Sequence, residues 1–366
     1  MEKAQKRFIG IDLLRFFCAF LVLSFHCSCE FLGGCTGAAH NALKLLAEHG
    51  FLGVEIFFII SGFVILNSAI NKTPKQFLIA RILRLYPAFW VCCTITFLAL
   101  IFFGAAGNKP GFIRYLINMT MLNSYVKVEG IDAPYWTLAY EIMFYAWIFA
   151  LMIADKMRHY ERFLIGGLAI STAYWLINYT GISVPAPIKA IFIIKYFCYF
   201  AIGSATFLWL NHRSQKLCIF VILYSLGLAF LEIDDIVKYR MLAYPEYGQE
   251  YKNYIAYIIF LSLFFVFIIS IAAANLFKKK RIWSFLGNIS YPLYLIHYAI
   301  GVIVFTYLIK YIDKYSALVI VTAFLITLSA VIHIYAELPI KRMLHKFLKK
   351  SPGKESVAPD LKERLI

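Results

Sequence analysis

Long apolar runs alternate with short polar stretches along the whole of this chain. Runs near or above eighteen residues are long enough for α-helices to cross roughly 30 Å of hydrocarbon. A helix is also the form in which each segment satisfies its own backbone N–H and C=O groups. The pattern predicts an all-α, polytopic transmembrane helix bundle of about ten spans, at residues 8–28, 51–70, 85–105, 135–154, 163–179, 188–210, 217–232, 254–277, 289–309 and 316–337. Segment 111–126, GFIRYLINMTMLNSYV, is apolar in part but holds Arg114, two Asn and a terminal Ser-Tyr, and reads as an interfacial or re-entrant piece. An eleventh span there would invert every later loop.

Charge placement orients the bundle, because Lys and Arg are retained on the cytoplasmic side. With Met1 inside, the inner segments hold 24 Lys and Arg, and the outer loops, with Lys189 at the edge of the sixth span, hold 10. Arg15 and Lys195 lie within spans. Both termini are therefore expected to be cytoplasmic in a multi-pass plasma (inner) membrane protein. The formal charge of +16 is mostly a topology signal, and nucleic-acid binding is the weaker reading of it. A 62% share of apolar residues against 15% charged agrees, since a soluble chain of 366 residues needs a larger polar surface.

One transmembrane domain is expected over residues 1–345, followed by a basic, disordered cytoplasmic tail at 346–366. Lys3, Lys6 and Arg7 precede an apolar stretch too long for a signal peptide, which is read as an uncleaved first span. The eight Cys show no metal-type spacing, and no metal is expected. Cys27, Cys29 and Cys35, at or beyond the outer end of the first span, are the residues among which a disulfide would form in an oxidising compartment.

Within a bilayer an ionisable side chain is costly, so each one is a candidate for function and needs a partner. These residues are Arg15, His26, Glu55, Glu141, Lys195, His297, His333 and Glu337. Arg15 and His26 are eleven steps apart on one helix, which returns them to within about 20° of the same face, about 16 Å apart. The competing reading is that Arg15 snorkels inward and His26 sits at the interface. Glu55, near the outer start of the second span, is expected at the depth of His26, where a carboxylate would orient the imidazole as a general base. A structural buried pair explains the same residues, and Gly50, Gly53, Ser61 and Gly62 are equally consistent with close helix packing. Arg81 and Arg84, three residues apart on one helical face in RILRLYP of the inner loop after the second span, suit a phosphate-bearing ligand, as does the run KKKR at 278–281. Positive-inside topology accounts for both as cheaply. Trp136, Glu141 and Tyr145 share the stretch YWTLAYEIMFY, where an aromatic belt explains the rings but not the carboxylate. Glu337 is expected to pair structurally, and His297 reads equally as a packed histidine or a ligand-binding one.

In this order and on these spans, FIGIDLLRFFCAFLVLSFH, VEIFFIISGF, RILRLYP, WTLAYEIMFY, LGNISYPLYLIH and the late AELP resemble acyltransferase family 3, membrane proteins that acylate cell-surface carbohydrates and related hydroxyl compounds. The resemblance covers most of the chain. It implies an O-acyltransferase moving an acyl group, by default acetyl, from cytoplasmic acyl-CoA to a carbohydrate hydroxyl at the outer face, with no tightly bound cofactor. It also implies that Arg15 and His26 are essential and that Arg81 and Arg84 serve the coenzyme. Glu55 departs from the family, where Asp is expected. The resulting mechanism has the coenzyme phosphates on Arg81 and Arg84 and the pantetheine arm passing Arg15. His26, oriented by Glu55, takes the hydroxyl proton, while Trp136, Glu141, Tyr145 and His297 hold the acceptor. Membrane lipid and polysaccharide-synthesis machinery are the expected surroundings. The rival is a transporter or flippase for glycans or lipid-linked precursors, which uses the same intramembrane charges. Against it stands the lack of repeated halves or of interrupted helices in matching positions.

Overall fold

Each of the ten apolar runs is helical over most of its described length, as the need to satisfy backbone groups without water requires. The computed structural model describes residues 8–27, 48–70, 72–104, 109–243, 253–272 and 280–349. Its α-helices are α1 (Ile9–Phe25), α2 (Gly53–Ile70), α3 (Pro74–Phe103), α4 (Phe112–Asn118), α5 (Trp136–Ile153), α6 (Tyr160–Tyr179), α7 (Ala186–Ile191), α8 (Phe197–Leu210), α9 (Gln215–Ala243), α10 (Asn253–Ala272), α11 (Lys280–Ile296), α12 (Ala299–Leu308), α13 (Lys314–Ile332) and α14 (Leu338–Lys349). No strand occurs among the described residues. Among the described residues six helical stretches are long and apolar enough to cross a membrane, or seven if the bent pair α11 and α12 counts as one. With 17 residues α1 is at the lower limit of an unaided crossing, and with 14 α8 is below it.

The helices depart from the expected boundaries in four places. RILRLYP is not a loop: α3 starts at Pro74 and runs through Pro87. Its start is fixed by a capping box, in which the Gln76 N–H donates to Thr73 Oγ1 at 3.3 Å and the Thr73 N–H to Gln76 Oε1 at 3.0 Å. The sixth run is broken between α7 and α8. The seventh continues through Glu232, Asp234 and Asp235 to Ala243. The last helix passes residue 346 and ends at Lys349, while residues 350–366 of the expected tail lie outside the described residues.

Segment 111–126 makes no eleventh span. Its one helix, α4, has seven residues, and the chain then turns. The ring of Tyr115 stacks on Phe97 at 4.5 Å, Trp90 Nε1 donates to the Met119 carbonyl at 3.1 Å, and the Tyr86 hydroxyl donates to the Thr120 carbonyl at 3.1 Å. The segment thus runs back along α3 from the level of Phe97 to that of Tyr86, about 16 Å of helix. The segment folds back along α3 and serves the following loop. Asn118, fully buried, donates to the Glu129 carbonyl and accepts from the Ile131 N–H at 2.9 Å. Arg114 pairs with Glu129 at 2.9 Å.

That loop delivers Asp132 into the core, where its carboxylate accepts from the Ala133 N–H at 2.8 Å and from the Ala299 N–H at 3.2 Å. The second bond caps α12 where it breaks from α11 at an angle of 74°. A helix start buried without an acceptor would leave orphan N–H groups, so Asp132 is what allows the break to lie inside the protein.

At the centre α1 packs against α2, α10 and α11, and α2 packs against α8. Without a hydrophobic drive between helices in lipid, close backbone approach supplies the attraction. A β-carbon at Gly203 of α8 would stand 1.8 Å from the Ile59 carbonyl oxygen of α2, and one at Gly62 of α2 would stand 2.2 Å from the Phe200 carbonyl oxygen of α8. Ser204 Oγ adds a hydrogen bond to the Gly62 carbonyl at 3.2 Å.

Replacing Gly203 by Ala should lower stability by about 1–3 kcal/mol, because backbone must part to admit the methyl. Gly166→Ala, where an added β-carbon meets nothing within 4 Å, should leave stability unchanged or raise it by about 0.5 kcal/mol. Asp132→Ala should cost about 1–3 kcal/mol and Asp132→Asn, which keeps an acceptor oxygen, clearly less. Thermal unfolding in detergent micelles reads all four variants.

Candidate active site

A cavity of about 530 Å³, within the range of small-molecule sites, lies among α1, α2, α3, α5 and α11. Because α3 is one helix, Arg81 and Arg84 are three residues apart on one face, and both line it. Arg15 from α1 lines it too, and its electrostatic neighbours are Arg84, Asp12, Glu141 and Tyr145. Lys72 and Lys341 add positive charge to the wall, and Asn288 adds an amide. The guanidiniums are braced. Arg81 donates to Ser68 Oγ at 3.1 Å and lies 5.4 Å from the Tyr145 ring centre, and Arg84 lies 5.5 Å from that of Tyr291. Glu141 accepts from the Tyr145 hydroxyl and from Ser61 Oγ at 3.5 Å. Five basic side chains against Glu141 and Asp12 leave a surplus of positive charge for an anionic ligand.

Of the residues read from sequence, Arg15, Arg81, Arg84, Glu141 and Tyr145 meet on this cavity. His26 and His297 meet beyond it. Tyr294 of α11 belongs to the cavity wall, and one turn later His297 stands with its ring centre 5.1 Å from that of His26 and 5.6 Å from that of Tyr294. The ring centre of Tyr298 lies 4.9 Å from that of His26. His297 Nδ1 is 2.8 Å from the Tyr294 carbonyl oxygen. A carbonyl only accepts, so Nδ1 carries the hydrogen and Nε2 of the neutral ring is a bare acceptor. That nitrogen is buried and has no hydrogen-bond partner among the described residues.

The expected pair of His26 and Glu55 does not form. Gly53 seats α2 against α1 at Cys18, where a β-carbon would lie 2.7 Å from the Cys18 carbonyl oxygen. This is eight residues before His26, about 12 Å along the helix, so Glu55 enters well below the histidine. It is buried with Glu232 and Arg240 as electrostatic neighbours, and its Oε2 has no hydrogen-bond partner among the described residues. Trp136 also stands apart. It is 41% exposed and packs on Tyr140 and Tyr196, off the cavity wall.

The remaining intramembrane charges find partners. Glu337 meets His333 Nδ1 at 2.7 Å within a π-helical turn, and Lys195 binds Asp235. Of the run at 278–281, Lys278 and Lys279 lie outside the described residues, as do Cys29 and Cys35. Sequence reading missed Asp132, Glu232 and Arg240, all assigned to outer segments or a span's last residue. Glu232 is fully buried and accepts from the Tyr199 hydroxyl at 2.7 Å, while the Arg240 guanidinium lies 4.3 Å from the Phe25 ring centre and 4.6 Å from that of Phe51. The continuation of α9 was the missing signal.

The chain is similar to the peptidoglycan O-acetyltransferase OatA of Listeria monocytogenes, at 29% identity over 36% of this chain and 25% of the relative. It is also similar to the O-acetyltransferase OatA of Staphylococcus aureus strain MRSA252, at 26% identity over 95% of this chain and 59% of the relative. The putative membrane-bound transacylase BcsY of Komagataeibacter xylinus is 25% identical over 34% of this chain and 36% of its own length. The chain thus spans between a quarter and three-fifths of the length of these relatives. No solved structure matches. Residues 8–335, nearly the whole chain, match the family model described as an acyltransferase domain, and the chain belongs to that acyltransferase family, acyltransferase family 3.

Proposed function

We propose that this acyl-transferring enzyme is an integral membrane O-acyltransferase that moves an acyl group, acetyl in the simplest case, from cytoplasmic acyl-CoA to a hydroxyl of a cell-surface or exported carbohydrate. The observation that carries the reading is the basic cavity leading, through Tyr294, to a histidine pair. The names of the relatives, peptidoglycan O-acetyltransferase among them, support an O-linked carbohydrate acceptor. The charge asymmetry of the loops supports ten spans with both termini cytoplasmic in the inner membrane, beside the machinery that makes the polysaccharide. With that orientation the end of the cavity near Lys72 and Lys341 faces the cytoplasm.

In this reading Arg81 and Arg84, with Lys72 and Lys341, neutralise the coenzyme phosphates through charge-assisted hydrogen bonds. The pantetheine arm passes Arg15 and Glu141 and presents its thioester near Tyr294. At the far end His26 takes the proton of the acceptor hydroxyl as its oxygen attacks the thioester carbonyl. The C–S bond then breaks, and the coenzyme thiolate recovers a proton. Acyl-CoA is a substrate here, and no tightly bound cofactor enters the scheme. Among the described residues Glu55 neighbours Glu232 and Arg240, and Trp136 stands off the cavity, so this reading gives neither a step.

Purified protein in lipid nanodiscs, given acetyl-CoA labelled in the acetyl group and peptidoglycan fragments, should release coenzyme thiol and label the glycan. Arg84→Gln should raise the KM for acetyl-CoA about tenfold or more, the loss of a hydrogen bond to a charged group. His26→Ala should lower kcat by about 100-fold or more. A folded His26→Ala protein with full activity would refute the mechanism, and a wild-type protein that releases no thiol would refute the acyl-CoA reading itself.

A further inference from the structure

We infer that Val54, Phe57, Leu138 and Tyr294 form the pocket for the acyl group itself, and that the Phe57 ring limits this pocket to short acyl chains. The inference rests on the proposed transfer reaction and names the donors it accepts. The bonds made and broken are those of that reaction, and the pocket decides only which acyl group reaches them.

Contacts between helices order the cavity from one end to the other. At one end Arg81 of α3 donates to Ser68 Oγ of α2 at 3.1 Å, and Lys72 donates to the same oxygen at 3.3 Å. Further along α2, Ser61 donates to Glu141 of α5 at 3.5 Å. Further still, the ring of Phe57 meets that of Tyr294 of α11, with centres 5.7 Å apart. From Ser68 to Phe57 is eleven steps of one helix, about 16 Å. The lining changes over that length from basic side chains to apolar ones. Val54 and Phe57, about one turn apart on α2, close the far end with Leu138 of α5 and Tyr294.

The hydroxyls at the far end are taken up within the protein. Thr137 Oγ1 donates to the Pro134 carbonyl at 3.0 Å and lies 3.1 Å from the Tyr294 hydroxyl. These bonds hold the Tyr294 ring in place and leave a ligand mainly carbon to meet. With phosphates on Arg81 and Lys72 and the thioester beside Tyr294, the acyl carbons fall among these four side chains. Burial there favours an acyl methyl group. The space then ends, because Phe57 and Tyr294 meet edge to face at 65°, in contact and with no gap for a methylene between them. A longer chain has to part rings in a close-packed wall, which resists it. Val54, Leu138 and Tyr294 are buried, whereas Phe57 is half-buried, so Phe57 is the member that a substitution trims with least loss of packing.

The test compares acetyl-, propionyl-, butyryl- and hexanoyl-CoA as donors to peptidoglycan fragments, with wild type, Phe57→Leu and Phe57→Ala in nanodiscs. In the wild type kcat/KM should fall about tenfold for each methylene added to acetyl. Phe57→Ala should bring butyryl-CoA to within about threefold of acetyl-CoA, and Phe57→Leu should fall between. Each preference is a ratio measured within one protein, so partial misfolding of a variant cancels. Displacement of labelled coenzyme A by non-hydrolysable acyl-CoA analogues of the same lengths repeats the comparison without turnover and should give the same order. A wild type that uses hexanoyl-CoA as well as acetyl-CoA overturns the inference, and so does a chain-length preference unmoved in Phe57→Ala. Absence of thiol release from every donor in the wild type would instead sink the functional reading, while the displacement series still decides the pocket.

Discussion

A guanidinium or carboxylate within a bilayer must be surrounded by protein, by another charge or by an aqueous or ligand-filled cavity, because hydrocarbon offers it nothing. Here that constraint arranges the interior. Arg15, Arg81 and Arg84 share a cavity with Glu141 and Tyr145, Lys195 is bound by Asp235, and Glu337 is held by His333. The close glycine contacts of Gly62 and Gly203 and the carbonyl-lined crossing at Gly53 set the helix registers that make these meetings geometrically available. The proposed acyl transfer draws on the charges that line the cavity.

Much of this was legible from the apolar pattern, since a spanning helix must satisfy its backbone internally and leaves a run of the right length. Arg15, Glu141, Lys195, His333 and Glu337 were also legible, because each was conspicuous in such a run, whereas Asp132, Glu232 and Arg240 were not. Their pairing was not. His26 and Glu55 looked level when depth was counted from the connecting loop, but Gly53 against Cys18 seats α2 further along α1 and carries Glu55 towards Glu232 and Arg240. His297 was named from sequence without its partner, because the 74° break that brings it to His26 depends on Asp132 arriving from a distant loop.

Helix ends were misread where polar residues continue a helix. Thr73 and Gln76 announced the start of α3 as a capping box, so the helical face expected of Arg81 and Arg84 belongs to one continuous helix from Pro74 rather than to a loop. The acidic stretch at the end of α9 resembled a loop, yet its Glu232 is buried by α8 through Tyr199. Segment 111–126 is the clearest case of a structural role hidden by irregular structure. Arg114 and Asn118 shape the loop that delivers Asp132, so a polar interruption in an apolar run supports the histidine pair from about one helix away.

The central claim is that the basic cavity holds an acyl thioester whose reactive carbon lies beside the histidine pair. A structure of the protein in lipid nanodiscs with a non-hydrolysable acetyl-CoA analogue tests it most directly. Phosphate density is expected beside Arg81, Arg84, Lys72 and Lys341, and the acetyl group near Tyr294, within reach of His26. An analogue bound elsewhere, or lying with its acetyl end away from Tyr294, would contradict it.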